Sequence, residues 1–247
     1  MSPESQRKFE LLNLLAESYD ALLFDVDGTL ADNMDAHKQS YKAAAQQYGV
    51  ELDVNLIDET AGWPTVAVAE EISKRYGVDF DYQEFSTLKS TIFRDEYVFK
   101  TKPVDYVVEH LKYQKGKKHI AAVSGGTRTT LSMTLTTIGV WDDLETLVCA
   151  GDTAEGKPSP QPFLLAAAQL NIAPERCLVY EDGSQELKVR KPQEWVGFAL
   201  MKFNKSRFAD YKKSRSKLQA YCGFFIALCY LKTSNYFHSP VAIVQIG

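Results

Sequence analysis

Short apolar, β-rich runs alternate with helical patterns along most of this chain, and each run stops at a polar loop. ALLF at 21–24, HIAAVS at 119–124, TLVCA at 146–150 and RCLVY at 176–180 have the length of strands buried on both faces. The intervening PVDYVVEHLKYQKG, TRTTLSMTLTTIG and SPQPFLLAAAQLN read as helices. Alternation of this kind means βαβ units on a parallel sheet, and so an α/β fold with a three-layer Rossmann-like core. At 247 residues and 45% hydrophobic content, the chain can bury one such domain and carry an insertion.

The first run leads straight into FDVDGTLAD, which sets Asp25 and Asp27 two residues apart before a glycine. A strand followed by DxDGT carries both carboxylates to the strand's carboxyl end, where open parallel sheets bind ligands. Carboxylates this close repel each other, and a bound Mg²⁺ relieves the conflict because it takes hard oxygen ligands. The plain alternative is a strand closed by a type I′ Asp-Gly turn, with Asp25 in solvent.

Three later loops bear on that choice. Ser124 precedes Gly125 and Gly126 in VSGGT, Lys157 lies in GKPSP, and Glu181 and Asp182 close YEDGS. In order, FDVDGT, VSGGT, GKPSP and YEDGS resemble the four motifs of the haloacid-dehalogenase-like phosphotransferases, over about residues 20–186. The nearest likeness is to the β-phosphoglucomutase-like and sugar-phosphate phosphatase branch, which carries a small helical cap.

The resemblance implies phosphoryl transfer. Asp25 would be the nucleophile that forms an aspartyl-phosphate. Asp27 would protonate the leaving alkoxide and then activate the acceptor. Mg²⁺ would be held by Asp25, the Asp27 backbone carbonyl and Asp182. Ser124 and Lys157 would bind the phosphoryl oxygens, and the glycines from Gly125 would let backbone N–H groups approach them. The chemistry suits these residue types, because a phosphate monoester is an anion that an attacking carboxylate reaches only after its charge is neutralised. Singly, Lys157 reads as an exposed loop lysine, Ser124 as a helix N-cap and Glu181-Asp182 as a solvated turn. Glu181 reads either as support for the metal ligands or as a weak ligand itself.

Between Asn33 and about Thr101 the pattern turns helical, with candidate helices at 37–49, 65–77 and 82–99. The domain reading is therefore a core at 1–33 and 102–186, an inserted helical cap at 34–101 and a tail at 187–247. Caps of this kind close over the site and choose the substrate. The loop AGWPT, with Trp63 and Pro64, reads equally as a wall of the site or as a helix-helix turn anchored by its aromatic ring. His37 reads equally as a hinge residue of the site or as an ordinary surface histidine.

The N-terminal SPESQRKFELLNLLAES is charged and predicts an amphipathic helix rather than a leader peptide. Cysteines at 149, 177, 222 and 229 have no metal-ligand spacing, which points to reduced thiols and a cytoplasmic location. The longest apolar run, YCGFFIALCYL, is too short for a membrane span. Expected partners are therefore small phosphorylated metabolites, with neither membrane nor nucleic acid; oligomeric state is not readable.

After Gln185 the likeness stops. Residues 187–247 hold 11 Lys/Arg against 2 Asp/Glu, a net of +9, so with −4 overall the first 186 residues carry −13. The family pattern asks here for a helix that opens with Gly and ends in Ala-Gly-Met. Read one base out of step, the codons of residues 185–195 permit a Gly at the first of these places and Ala-Gly-Met at the last. A frameshift near Gln185, in the gene, the transcript or the gene model, explains the break better than a divergent natural tail.

The leading function is a Mg²⁺-dependent phosphatase for a small sugar or polyol phosphate. A sugar-phosphate mutase of the β-phosphoglucomutase type is the second reading. It would need a cap cation for the distal phosphate, yet TVAVA after AGWPT carries no arginine, leaving Lys38, Lys42, Lys74 or Arg75. A non-catalytic or unstable product, its last core elements replaced, is the third.

Overall fold

The computed structural model describes residues 1–157 and 159–181 and, as backbone, two strands at 226–233 and 236–245. Ser2 caps the first helix, α1 (Pro3–Ala16), by accepting from the Ser5 N–H, with Pro3 fitting the first turn where no N–H partner is needed. Next come β1 (Ala21–Phe24) and a short β2 (Ala31–Asp32). The chain then forms α2 (Met34–Gln47), α3 (Asn55–Glu59), α4 (Thr65–Tyr76) and α5 (Tyr82–Glu96). It returns through β3 (Lys102–Pro103), which pairs antiparallel with β2 through Ala31–Pro103 and Asp32–Lys102. The remaining core elements are α6 (Asp105–Gln114), β4 (His119–Val123), α7 (Arg128–Thr137), β5 (Thr146–Val148), α8 (Gln161–Gln169) and β6 (Cys177–Glu181). The helical patterns read from the sequence correspond to α1, α2 and α4 to α8; α3 had no sequence signal long enough to read.

Strands β5, β4, β1 and β6 lie side by side in that order, all parallel. Successive residues point to opposite faces, so Leu22, Phe24, Ile120, Ala122, Leu178 and Tyr180 pack toward α1, α6 and α7. Ala21, Leu23, Ala121, Val123, Cys177 and Val179 pack toward α8. Helices on both faces of a parallel sheet make the three-layer α/β fold that the strand-helix alternation predicts. Helices α2 to α5 have an apolar core of their own, built on Tyr41, Ala44, Ile72 and Phe85. No helix among the described residues is long and apolar enough to cross a membrane.

The sheet continues beyond β6 with β8 (Tyr236–Gln245), parallel to it through Leu178–Ala242 to Glu181–Gln245, and β7 (Ile226–Thr233), antiparallel to β8. A tail with an unselected sequence was expected to be held by few contacts beyond about residue 200. Over these two strands that expectation fails, because the β8 backbone pairs with the open edge of β6 and β7 pairs with β8. The segment 195–201, considered as a substitute strand, lies outside the described residues.

Candidate active site

The backbone of the parallel ladder brings three chain segments to one place. The Asp25 N–H donates to the Tyr180 carbonyl at 3.0 Å, and the Ser124 N–H to the Val148 carbonyl at 3.0 Å, so Asp25, Ser124 and Glu181 all stand at carboxyl ends of strands. Asp27 is turned over the same end. The Val26 carbonyl accepts from the N–H groups of Thr29, Leu30 and Ala31, and the tight reversal needs φ of +87° at Gly28. Asp27 itself keeps a negative φ, which rules out the type I′ turn, and Asp25 is buried rather than solvated.

The two aspartates have different partners. Lys157, buried, donates to Asp25 Oδ1 at 2.6 Å and to Glu181 Oε1 at 2.5 Å. Lys157 is therefore no loop lysine in solvent, and Glu181 meets the site through it. Asp27 Oδ1 accepts from the Asn33 amide at 2.7 Å and lies 3.0 Å from His37 Nε2, while the Ser124 hydroxyl stands 3.4 Å from Asp27 Oδ2. Burial alone would push the Asp27 carboxyl up, but His37 and the Asn33 amide outweigh it and hold it well below the usual carboxylate range.

His37 is fixed in turn from the insertion. Lys89 of α5 reaches 2.6 Å from His37 Nδ1. An ammonium can only donate, so Nδ1 accepts and Nε2 carries the hydrogen given to Asp27. Burial and the Lys89 charge both push the imidazole pKa down, in keeping with a neutral ring. The ring stacks on Phe93 at 4.1 Å. Lys89 is itself buried over the Tyr41 ring, and burial lowers its pKa to about 8.

The even reading of His37 thus resolves toward the site. Sequence reasoning passed over Asn33 and Lys89 altogether. Lys89 did have a signal: it falls midway between Phe85 and Phe93 at four-residue spacing, on the apolar face of its helix, where a lysine needs a reason to be.

A cleft between sheet and insertion is lined by Asp25, Asp27, His37, Trp63, Lys89 and Ser124, with Gly125 beside them. Trp63 also packs against the core of the insertion, so both readings of the AGWPT loop apply. Of the cations considered for a distal phosphate, Lys38 pairs with Asp58 and Arg75 with Glu59 and Glu71, while Lys42 and Lys74 point into solvent. None of them lines the cleft. Asp182 lies outside the described residues. Among the described residues no three His, Cys, Asp or Glu side chains form a ready metal cluster. The donors that Asp25 and the Asp27 carbonyl offer are hard oxygens, the chemistry that Mg²⁺ takes. The buried thiols of Cys149 and Cys177 are free, and burial pushes them up to about 11 and about 12, which leaves them unreactive.

Two carboxylates two positions apart at a parallel strand end, one on a buried lysine and one beside a histidine, meet at one cleft of an α/β core. Residues 19–189 match the haloacid dehalogenase-like hydrolases, and the chain belongs to that family. It is 26% identical over 166 residues to a fructose-1-phosphate phosphatase of Escherichia coli, covering 67% of this chain and 88% of that protein. Over 178 residues it is 25% identical to the β-phosphoglucomutase of Bacillus subtilis, covering 69% and 78% of the two chains. Among solved structures, a hydrolase from Pseudomonas syringae superposes with a TM-score of 0.62 at 21% identity, over 68% of this chain and 78% of that one.

Proposed function

We propose that this protein is a Mg²⁺-dependent phosphatase that hydrolyses a small sugar or polyol monophosphate through an aspartyl-phosphate on Asp25. One observation carries the reading: Asp25 and Asp27 sit two residues apart yet are held by different groups, Lys157 on one side and His37 with Asn33 on the other. Two carboxylates kept apart in this way can take different roles. A named relative that hydrolyses fructose 1-phosphate points the same way.

In the first half-reaction an Asp25 carboxylate oxygen attacks phosphorus in line, and the bond to the sugar oxygen breaks. The proton that the leaving alkoxide needs comes from Asp27, which has to be loaded with one beforehand. In the second half-reaction Asp27, now the anion that Asn33 and His37 stabilise, takes a proton from water as the water oxygen attacks phosphorus. Phosphate leaves, Asp25 regains its carboxylate, and the proton stays on Asp27 for the next cycle. Lys157 offsets charge at Asp25, while Ser124 and the N–H groups from Gly125 hold the phosphoryl oxygens. Mg²⁺, held by Asp25, the Asp27 carbonyl and Asp182, would supply charge neutralisation at the transferring group.

The relative named as a β-phosphoglucomutase keeps the mutase reading alive. Against it stands the cleft: among the described residues Lys89 is the one Lys or Arg that lines it, and it is already engaged with His37. A bisphosphate retained for a second transfer finds no second cation among them. Purified protein with Mg²⁺ and a panel of sugar 1- and 6-phosphates separates the readings. Release of inorganic phosphate is expected; conversion of a 1-phosphate to a 6-phosphate without release would establish the mutase, and neither would leave a non-catalytic product.

A further inference from the structure

Asp25 and Lys157 are each only 3% exposed and Ser124 is 5% exposed. Asp25 and Ser124 line the cleft between sheet and insertion, so the place where the insertion comes to rest sets the room a phosphate ester finds there. Where the insertion lands is recorded at two glycines. A Cβ added to Gly125 would lie 2.5 Å from the Gly62 carbonyl oxygen and 2.9 Å from the Trp63 carbonyl carbon. A Cβ added to Gly156 would lie 2.6 Å from Pro64 Cγ and 3.3 Å from Pro64 Cδ. In both cases the obstructing atoms belong to the loop 61–64 of the insertion, while the glycine belongs to a loop of the core.

Backbone conformation does not demand glycine at either place, because neither belongs to the residues with positive φ. Gly126 gives the contrast: there a Cβ meets Leu131 side-chain carbons at 3.1 Å, inside the core and on a flexible group. At Gly125 the obstacle is backbone, which cannot yield, and at Gly156 it is a stiff pyrrolidine ring. We infer that Gly125 and Gly156 are positioning residues, two seats without side chains on which loop 61–64 lands, so that their missing Cβ atoms set how fully the insertion closes over Asp25 and Asp27. Full closure excludes water other than the attacking one and brings His37, with Lys89 behind it, onto Asp27; a seat raised by one methyl group holds His37 off that carboxylate.

The inference rests on the phosphatase reading for its effect on rate, but not for its effect on the loop. Gly156 is the cleaner site to test, since Gly125 also faces the phosphoryl group. Four proteins are compared: the parent, Gly156→Ala, Pro64→Ala and the double variant. Two readouts are taken, turnover of p-nitrophenyl phosphate with Mg²⁺ and hydrogen exchange of the backbone over residues 59–66. Gly156→Ala is expected to lower kcat/KM tenfold or more and to speed exchange in that segment, with β1 and β4 unchanged. Pro64→Ala removes the obstructing ring carbons, so the double variant should recover to within about threefold of Pro64→Ala alone in rate and match it in exchange. If Gly156→Ala acted instead by disturbing its neighbour Lys157, removal of the ring would restore nothing, and the inference would fall. Unchanged exchange in Gly156→Ala would also overturn it. Should Gly156→Ala not fold, a soluble double variant upholds the seat and an insoluble one refutes it. If the parent itself lacked turnover, the phosphatase reading would fail while the exchange comparison still decided the seat.

Discussion

Lys89, on the fourth helix of the insertion, stands 2.6 Å from Nδ1 of His37, a residue 52 positions earlier whose other ring nitrogen meets Asp27. The insertion thereby reaches the acid-base carboxylate through one imidazole. Lys89→Met keeps much of the length and apolar stem but removes the donor, which frees His37 to adopt the other tautomer. Turnover is expected to fall roughly tenfold or more, as loss of a group supporting general acid-base chemistry does. Steady-state rates together with a thermal midpoint no lower than the parent's would locate the loss in the site; an unchanged kcat would remove Lys89 from it.

Asp27→Asn preserves the shape and the contact with His37 but can neither deliver nor accept the proton. A loss of roughly 10²–10⁴ in kcat is expected. Chelation by excess EDTA should stop the parent altogether, and re-addition of Mg²⁺ should restore it. Full turnover in EDTA would contradict the metal assignment.

His110 gives a pH prediction away from the site. Its Nδ1 lies 2.8 Å from the Asn13 side-chain oxygen and its Nε2 2.8 Å from the Tyr180 hydroxyl. The same Asn13 oxygen accepts from the Gln114 amide, so Nδ1 donates, Nε2 accepts from Tyr180 and the ring is neutral. Burial lowers its pKa to about 4 from the ordinary 6.5. A depressed folded-state value means the unfolded chain takes up the proton first as pH falls. The contribution is complete above about pH 6.5 and is lost between there and about pH 4, amounting to roughly 2 kcal/mol by pH 5. Urea unfolding at pH 7 and pH 5 checks this; His110→Gln should flatten the difference.

The tail carries its own test. We propose that the chain after Gln185 is out of frame, on the charge break near residue 187 and the Gly and Ala-Gly-Met that the shifted codons permit. The nucleotide sequence across codons 183–200 decides it. A frame-restored chain is expected to gain both thermal midpoint and turnover, since it regains a selected helix behind Asp182. Equal stability and activity would show that the present tail, with its β8 paired to β6, is a working part of the sheet.

The core was legible because its signals are local. ALLF is apolar throughout, HIAAV after its first residue and CLVYE up to its last, as strands covered on both faces must be, and the DxDGT spacing put Asp25 and Asp27 at a strand end. What the sequence hid was tertiary. Asn33 marks only the start of the helical stretch in the sequence, and nothing local tells that its amide lies on Asp27. His37 and Lys89 belong to different helices of the insertion and meet only through its packing, against Phe93. Gly156 looked like part of a lysine motif, and only the position of Pro64 shows what its missing side chain makes room for. The strands at 226–233 and 236–245 lie beyond the family motifs, and Pro240 inside the second argues locally against a strand.

The central claim is that Asp25 becomes covalently phosphorylated and that Asp27 is needed to release it. The most direct measurement is rapid acid quenching of the Asp27→Asn variant during turnover of p-nitrophenyl phosphate, whose leaving group departs without a proton from Asp27, followed by mass spectrometry of the peptide that spans β1 and the turn after it. The account predicts a phosphoryl group on Asp25, at higher occupancy than in the parent quenched at the same time, because hydrolysis of the intermediate is slowed. A phosphoryl group on another residue, or Asp25 left unmodified while turnover proceeds, would contradict it.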